Sequence, residues 1–306
     1  TADDMHVVFS LESGAFEDTP PATALRTTAP TLAWMASAAI GAPPLPPSHE
    51  EVLITCKGPL TMVPLEKDAE IPPTADDIRL ELRGENVHIN DPEQNLDARC
   101  ALLTYRSETE RFDLTATTPR GVVLTSKDLR IENAHTWVRP DAGIGAVEGS
   151  GKASLSEISK TDSSGIDTTT ITWQRRVDLA FDPSRPDAEG GLRTTRFLDQ
   201  VSVQSPDGTI DGEDLEMHFA PDESGKAAPD RFIGRGGIRA SSDEQILWAD
   251  ELRATLGPST SVQTDGIEVQ NVHAKGNVQV LLADGARAWA DQLHGDAAQE
   301  EVELIG

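Results

Sequence analysis

The chain contains few aromatic residues and few positive charges. Aromatic residues make up 4% of its 306 positions, with a single tyrosine, and hydrophobic residues 37%. This is little for a large closed core, and it favours an elongated all-β protein whose sheets meet water on one face. The sequence has 52 acidic residues against 26 lysines and arginines, a net charge of −26. That balance excludes nucleic acid as a partner and an anionic membrane surface as a docking site, since both require a basic face.

Long apolar runs are also missing. The longest covers residues 31–42 and includes alanine, serine and glycine, whereas a membrane-spanning helix needs about 20 apolar residues. We therefore expect no transmembrane helix within this sequence. Because the sequence starts at Thr1 without a signal peptide, we expect a processed form, for which an inner-membrane anchor removed from the N-terminus is an open alternative.

Cysteine is rare as well. Cys56 and Cys100 are the only two in the chain. If neighbouring hairpins bring them together in an oxidising compartment, they form one disulfide. Otherwise they are two unpaired thiols on strand faces. The sequence alone leaves both alternatives open.

A short phrase recurs along the chain. It consists of a small or polar residue, then an acidic or polar pair, then leucine or isoleucine, and its clearest copies are Ala-Asp-Glu-Leu at 249–252 and Ala-Asp-Gln-Leu at 290–293. The aliphatic residues that close the copies are Ile78, Leu129, Leu179, Leu215, Leu252 and Leu293. Self-similarity at intervals of a few tens of residues is typical of repeat architectures.

Each copy leads into an alternating strand. Leu215, Met217 and Phe219 alternate with Glu216 and His218, a period of two that gives a strand one apolar and one wet face. A second phrase, a glycine followed by another alternating strand, stands between the copies. The repeating unit is therefore a strand, a polar turn and a returning strand. We predict an all-β protein built from repeated antiparallel hairpins.

Composition divides the chain into three parts. Residues 1–48 hold one predicted strand, over 5–11, and a segment rich in proline and alanine within which residues 31–40 are compatible with a short helix. Residues 49–160 and 161–306 form a first and a second module of β repeats. The Ser-, Thr-, Asp- and Gly-rich stretch at 156–168 predicts a loop between them. One continuous sheet through both modules is the alternative.

Motifs for catalysis or metal binding are weak. The seven histidines are scattered without metal-ligand spacing, and the carboxylates follow the repeat phrase and the turns. A calcium-like phrase at 207–212 lacks the closing acid, because that position holds His218. A phosphate-loop-like phrase at 149–153 lacks its first glycine and its Ser or Thr. We therefore predict a protein that is not an enzyme and that has no metal site and no cofactor.

The repeat phrases resemble those of a known family. Residues 276–278, 290–291 and 302–306 read Gly-Asn-Val, Ala-Asp and Val-Glu-Leu-Ile-Gly, and residues 236–238 and 249–250 read Gly-Gly-Ile and Ala-Asp. This order is similar to the repeat of the lipopolysaccharide-transport (Lpt, OstA-like) family, which includes the bridge protein LptA, the membrane-anchored LptC and the N-terminal domain of LptD. The likeness is good over 200–306, fair over 50–155 and absent over 1–48.

The resemblance carries an expected fold and function. It implies an elongated open antiparallel β-jelly roll, folded over like a taco shell, whose apolar inner face holds the acyl chains of lipopolysaccharide or another acylated lipid. The expected role is that of a periplasmic lipid-transport bridge or binding module between the inner and outer membranes. The expected partners, besides the lipid, are other Lpt-type jelly-roll proteins that stack through edge strands.

Alternation identifies the residues expected to face such a groove. They are Ile78, Leu80, Val87, Ile89, Leu129, Ile131, Leu215, Met217, Phe219, Leu252, Leu256, Val278 and Val280. The same alternation fits the core of a closed β-sandwich, so pattern alone does not separate groove from core. Two other functions stay open: a structural β-solenoid or adhesin-like stalk with a closed core, and a polysaccharide-acting enzyme, for which no acid cluster outside the repeat phrase is found.

Overall fold

A computed structural model describes the chain in segments. These are residues 5–11, 50–56, 58, 60–64, 78–91, 96–116, 121–126, 129–139, 141–158, 166–182, 191–222, 227–258, 267–297, 299 and 301–306. The chain divides into two compact units. The first unit comprises Thr1–Glu148 and Asp182–Gly191, and the second comprises Gly149–Phe181 and Leu192–Gly306.

The described residues are almost entirely β-structure. Apart from one 3₁₀ turn at Ser107–Thr109, every regular element is a strand, and the strand pairings with a described register are antiparallel. The predicted all-β class is therefore confirmed, while the jelly-roll form stays a prediction. The predicted short helix at 31–40 lies outside the described residues. Within the described ranges, no helix has the length and apolarity that crossing a membrane requires.

Ten of the described strands belong to the first unit. They are β1 (Met5–Leu11), β2 (Glu50–Cys56), β3 (Leu60–Pro64), β4 (Ile78–Asp91), β5 (Leu96–Arg106), β6 (Arg111–Thr115), β7 (Val122–Ser126), β8 (Leu129–Asn133), β9 (His135–Arg139) and β10 (Ile144–Glu148). The predicted strand at 5–11 coincides with β1.

The long strands β4 and β5 hold the first unit together because the two halves of each strand pair with different neighbouring strands. The first half of β4 pairs with β3 and its second half with β2. In β5 the second half pairs with β6 and the first half with β7. A register shift between Arg83 and Val87 separates the halves of β4 where it pairs with β5. The sheet therefore continues as two ladders, one running through β7 to β8 and the other through β6 and β9 to β10.

The second unit contains the other ten strands. They are β11 (Gly151–Ile158), β12 (Ile166–Trp173), β13 (Arg176–Phe181), β14 (Leu192–Ser205), β15 (Gly208–Pro221), β16 (Ala227–Ser241), β17 (Gln245–Pro258), β18 (Ile267–Leu282), β19 (Arg287–Asp296) and β20 (Glu301–Ile305). From β13 to β20 each strand pairs with the next along the chain, and β12 pairs with both β11 and β14.

Alternation predicts these long strands closely. The alternating residues predict strands over 208–219 and 245–256, and β15 and β17 correspond to them, each extending two residues further. The pattern also predicts a single strand over 286–305, but the structure has two, β19 and β20, which pair as a hairpin with Gln292 opposite Ile305. The strand is interrupted because residues 297–300 hold no apolar side chain larger than alanine. The alternation of apolar and polar residues is therefore absent there.

Candidate functional site

The repeated phrases lie where the long strands of the second unit change register. The shifts fall between Leu198 and Val201 in β14, Asp211 and Asp214 in β15, Arg235 and Ile238 in β16, Trp248 and Glu251 in β17, and Lys275 and Val278 in β18. A shift of this kind is a β-bulge, which bends the strand that carries it. Because the shifts stand next to one another on neighbouring strands, they form one line across the sheet. We call this line the bend.

Glycine and asparagine occupy the bend because its backbone is left-handed. The pairs Gly236–Gly237 in β16 and Gly276–Asn277 in β18 have positive φ angles, between +49° and +82°. Glycine adopts this region without a steric penalty, and asparagine does so more readily than most residues. In β14 the same place is held by Asp199 and Gln200, also with positive φ. The Gly-led phrase of the sequence is thus the bulge of β16 and β18, and Asp199–Gln200 forms the corresponding bulge of β14.

The Ala-Asp phrase supplies the facing strand at the bend. Asn277 donates a hydrogen bond from Nδ2 to Asp250 Oδ2 over 2.8 Å. A Cβ on Gly276 would lie 2.4 Å from that same carboxylate oxygen, so the close packing of the two strands requires glycine. Ala249 and Leu252, on either side of this contact, are both buried. The phrase therefore places an alanine inside, an acid at the outer side of the bend, and a leucine inside again.

Side chains from the two sides of the bend come close to each other where the strands carry glycine. A Cβ on Gly212 would lie 2.5 Å from Ile238 Cδ1 and 3.1 Å from Leu215 Cδ2. In a flat strand, residues three apart point to opposite faces and lie about 10 Å apart. Gly234 is crowded by the same two side chains. The apolar face is therefore folded inward at the bend.

Large and small side chains alternate beside the bend. Its aliphatic side chains have relative exposures of 1–7% and are Val201, Leu215, Ile238, Leu252, Val278 and Leu293. Across the ladder they stand opposite small residues: Val201 faces Gly212, Leu215 faces Gly234, Ile238 faces Ala249, Val278 faces Ala290 and Leu293 faces Ala274. This complementarity lets the inner face close tightly along the bend itself.

Away from the bend, the same apolar face is only partly covered. The predicted residues further along the strands are half-buried: Met217, Phe219, Leu256 and Val280. Still further out, Val269 and Leu282 are 46% and 43% exposed. Exposure thus increases from the bend toward the strand ends along β15, β17 and β18, whereas Phe232 in β16, Phe181 in β13 and Leu192 in β14 are buried. We call this partly covered apolar face of the second unit the trough.

The predicted groove residues of the first unit have different surroundings. Leu80, Val87 and Ile89 are buried, and Leu129 and Ile131 are half-buried. The side chain of Ile78, in β4, lies outside the described residues. Around them the interior is filled by side chains that are at most 4% exposed, namely Leu82, Leu103, Leu114, Val122, Leu124 and Val138. These strands of the first unit therefore enclose a packed core, whereas β15, β17 and β18 of the second unit carry a trough.

A polar network on the outer face of the first unit was not predicted. Asp113 accepts hydrogen bonds from Arg111 Nε over 2.8 Å and from His135 Nε2 over 2.9 Å, and the Arg111 guanidinium lies 4.5 Å from the centre of the Trp137 ring. Burial acts to raise the pKa of Asp113, but the hydrogen bonds from His135 and Arg111 outweigh it and keep that pKa below its usual value. The network stabilises β6 against β9.

Ion pairs between residues two positions apart recur on the outer surface. Such residues share one face of a strand, and they pair in both units. In the first unit they include Arg99–Asp97, Arg130–Glu132 and Arg139–Asp141, with N···O distances of 2.6–3.1 Å, and in the second unit Arg253–Glu251. Most of these arginines and acids therefore lie on the wet faces. An arginine and an acid two positions apart, in either order, along a predicted strand is the signal that would have identified these pairs.

The two cysteines are free and buried. Cys56 ends β2 and Cys100 lies in β5, and both of these strands pair with β4, which separates them. Burial raises the pKa of Cys100 to about 12 and also raises that of Cys56. Of the two alternatives left open by the sequence, the structure contains unpaired thiols. A raised pKa keeps a thiol in its protonated form, which is less nucleophilic than the thiolate.

Within the described parts of the chain, no three or more His, Cys, Asp or Glu side chains form a group that could hold a metal ion. The calcium-like phrase at 207–212 belongs to the turn and start of the β14–β15 hairpin. No protein-family model, curated protein or solved structure matches the chain.

Proposed function

We propose that the trough of the second unit binds the acyl chains of a lipid and shields them from water. The observation that carries this proposal is the rise in exposure from the bend toward the strand ends on the apolar face of β15, β17 and β18. A row of half-exposed aliphatic side chains facing one another across a folded sheet is a surface that water wets poorly. An acyl chain lying along it would cover the residues that the protein leaves partly uncovered.

The magnitude of this burial is sufficient for binding. Each methylene removed from water contributes about 0.8 kcal/mol, so a chain of about twelve methylenes gains roughly 10 kcal/mol before the entropy of association is subtracted. The wet outer faces, with their self-neutralising ion pairs, keep the complex in solution while the inner face takes the lipid. The proposed role is therefore binding and carriage rather than catalysis.

The likeness of the bend phrases to the Lpt repeat extends the proposal. On this resemblance, the proposed lipid is lipopolysaccharide, the proposed compartment is the periplasm, and the proposed form of the folded sheet is an open jelly roll. The proposed partners are other jelly-roll proteins that stack on edge strands. Support for an edge partner comes from β20, whose Val302, Leu304 and Ile305 are 68%, 42% and 38% exposed.

The structural alternative fits the first unit better than the second. The first unit's interior is filled by its own side chains, which is the property expected of a support without ligand. We therefore assign lipid binding to the second unit alone, and the predicted groove residues Leu80, Val87 and Ile89 of the first unit become core residues in this proposal.

Two neighbouring substitutions test the trough. Val280 points into the trough and is half-buried, whereas the adjacent Gln279 points to the outer face and is exposed. Displacement of a fluorescent fatty acid by purified lipopolysaccharide, or by a simpler acylated lipid, measures binding to the full chain. Val280→Glu should weaken binding about tenfold or more, because a buried carboxylate opposes an apolar ligand, and Gln279→Glu should leave it unchanged.

Two results would contradict the proposal. Equal affinities of Val280→Glu and Gln279→Glu would remove the trough as the binding site, provided circular dichroism shows both variants folded. Absence of any saturable lipid binding by the unsubstituted chain would refute the function itself.

A further inference from the structure

Two histidines face each other on the outer surface of the second unit. His273 in β18 and His294 in β19 are directly opposite in the antiparallel register. Their ring centres are 4.3 Å apart and the rings are tilted by 49°. Because the inward-pointing neighbours Ala274 and Leu293 are buried, both imidazoles lie on the wet face, away from the trough.

The row continues onto the next strand with a carboxylate. Glu303 in β20 is the register partner of His294 and is exposed. Two imidazoles and one carboxylate thus occupy three consecutive strands on one face of the sheet. Strands in a sheet are about 4.8 Å apart, so the three side chains start from neighbouring positions.

We propose that His273 and His294 bind one divalent transition-metal ion of the class that prefers imidazole ligands, with Glu303 as a third ligand. Zinc, copper and nickel ions belong to this class. Nitrogens bound to one ion at about 2.1 Å lie about 3.4 Å apart in a tetrahedral site. Imidazoles already centred 4.3 Å apart reach that separation by side-chain rotation, without any movement of the strands.

The residue beside the pair supports a metal-binding orientation. His273 Nε2 lies 3.4 Å from Gln292 Oε1, an amide oxygen that only accepts hydrogen bonds. A proton held on Nε2 by this contact leaves the lone pair on Nδ1. Metal-bound histidines commonly donate their other ring nitrogen to an acceptor in this way.

The charged side chains around the histidine pair do not oppose the binding of a cation. Arg253 is the register partner of His273 on the β17 side, but its guanidinium is held by Glu251. Lys275 is the other nearby cation on β18, and Asp296 and Glu301 add negative charge on β19 and β20. The three side chains of the proposed site do not yet form a ready cluster in the structure, so the exposed Glu303 carboxylate turns toward the imidazoles when the ion binds.

Calorimetric titration of the full chain with Zn²⁺ alone, at about pH 7.5 where free imidazole is neutral, tests the site. The expected result is one saturable site per chain, weakened about tenfold or more in His273→Gln and in His294→Gln. His218→Gln is the matched control: His218 lies on the outer face of β15 in the same unit, and its loss should change nothing. Zn²⁺ should also raise the unfolding temperature of the unsubstituted chain, and not that of the two variants.

Protonation gives an independent check. Because a protonated imidazole cannot bind a metal ion, the affinity for Zn²⁺ should fall as the pH is lowered. Absence of a saturable site, full binding in both His273→Gln and His294→Gln, or an equal loss in His218→Gln would each overturn the proposal. None of these outcomes bears on the trough, because the site lies on the opposite face of the sheet.

Discussion

The two glycines of one bulge should respond differently to the same substitution. Gly236 and Gly237 both have positive φ, +82° and +64°. A Cβ on Gly236 would lie 2.7 Å from Glu213 Cβ, whereas a Cβ on Gly237 would meet nothing within 4 Å. Both alanine variants therefore carry the energetic cost of a left-handed backbone conformation. Only Gly236→Ala also introduces a steric clash.

The expected magnitudes follow from these two terms. Alanine in the left-handed region is destabilised by about 1 kcal/mol, which is the whole effect expected for Gly237→Ala. Gly236→Ala adds a clash with a Cβ that cannot rotate away, so β15 and β16 must separate at the bend. Overpacking of this kind is destabilising by about 1–3 kcal/mol, which gives a total of about 2–4 kcal/mol.

Native-state hydrogen exchange is the suitable assay, because the chain has two compact units and one denaturation midpoint would mix them. The free energy of opening for amides of β15 and β16 should fall more in Gly236→Ala than in Gly237→Ala. The double variant Gly236→Ala with Glu213→Gly should recover most of the difference, since it removes the clashing Cβ. Equal effects of the two single variants, or no recovery in the double variant, would refute the close packing at the bend.

Two further predictions concern the first unit. Because burial raises the pKa values of both thiols, a disulfide exchange reagent at about pH 8 should label neither Cys56 nor Cys100 until the chain is unfolded; prompt labelling of the native protein would contradict this. Asp113→Asn should destabilise the first unit by about 1–2 kcal/mol near neutral pH. The pKa of Asp113 is depressed on folding, so its contribution exists above the unfolded value of about 4 and is lost as the pH falls through the folded value. A difference between wild type and variant that persists at about pH 2 would contradict that origin.

The strands were largely predictable from sequence because alternation is a local property. Leu215, Met217 and Phe219 share a face whether or not their neighbours are known, and β1, β15 and β17 lie close to where the pattern puts them. The hairpin order also follows from the chain, since consecutive strands of the second unit pair with each other.

The meaning of the repeat phrase was not predictable, because it depends on register between strands. Gly276 and Asp250 are distant in sequence, and only the pairing of β17 with β18 shows that one must lack a side chain to accommodate the other. The same holds for His273 and His294, whose separation fits no metal motif yet whose register places them opposite each other.

The alternation of apolar and polar residues also could not distinguish a trough from a packed core. Val87 of the first unit and Val280 of the second unit have similar preceding sequences, since each stands three or four residues after a glycine and directly after a polar residue. Val87 is fully buried and Val280 is half-buried. How far a folded sheet closes depends on side-chain volumes across both arms, which a single strand's periodicity does not contain.

Photo-crosslinking with an acyl lipid that carries a diazirine in its chain tests the central claim most directly. After irradiation of the full chain and mass spectrometry of its peptides, the account predicts labels on the inward side chains of the second unit toward the strand ends, among them Met217, Phe219, Leu256 and Val280. Labels confined to the first unit or to outer-face residues such as Gln279, or no saturable labelling, would contradict it.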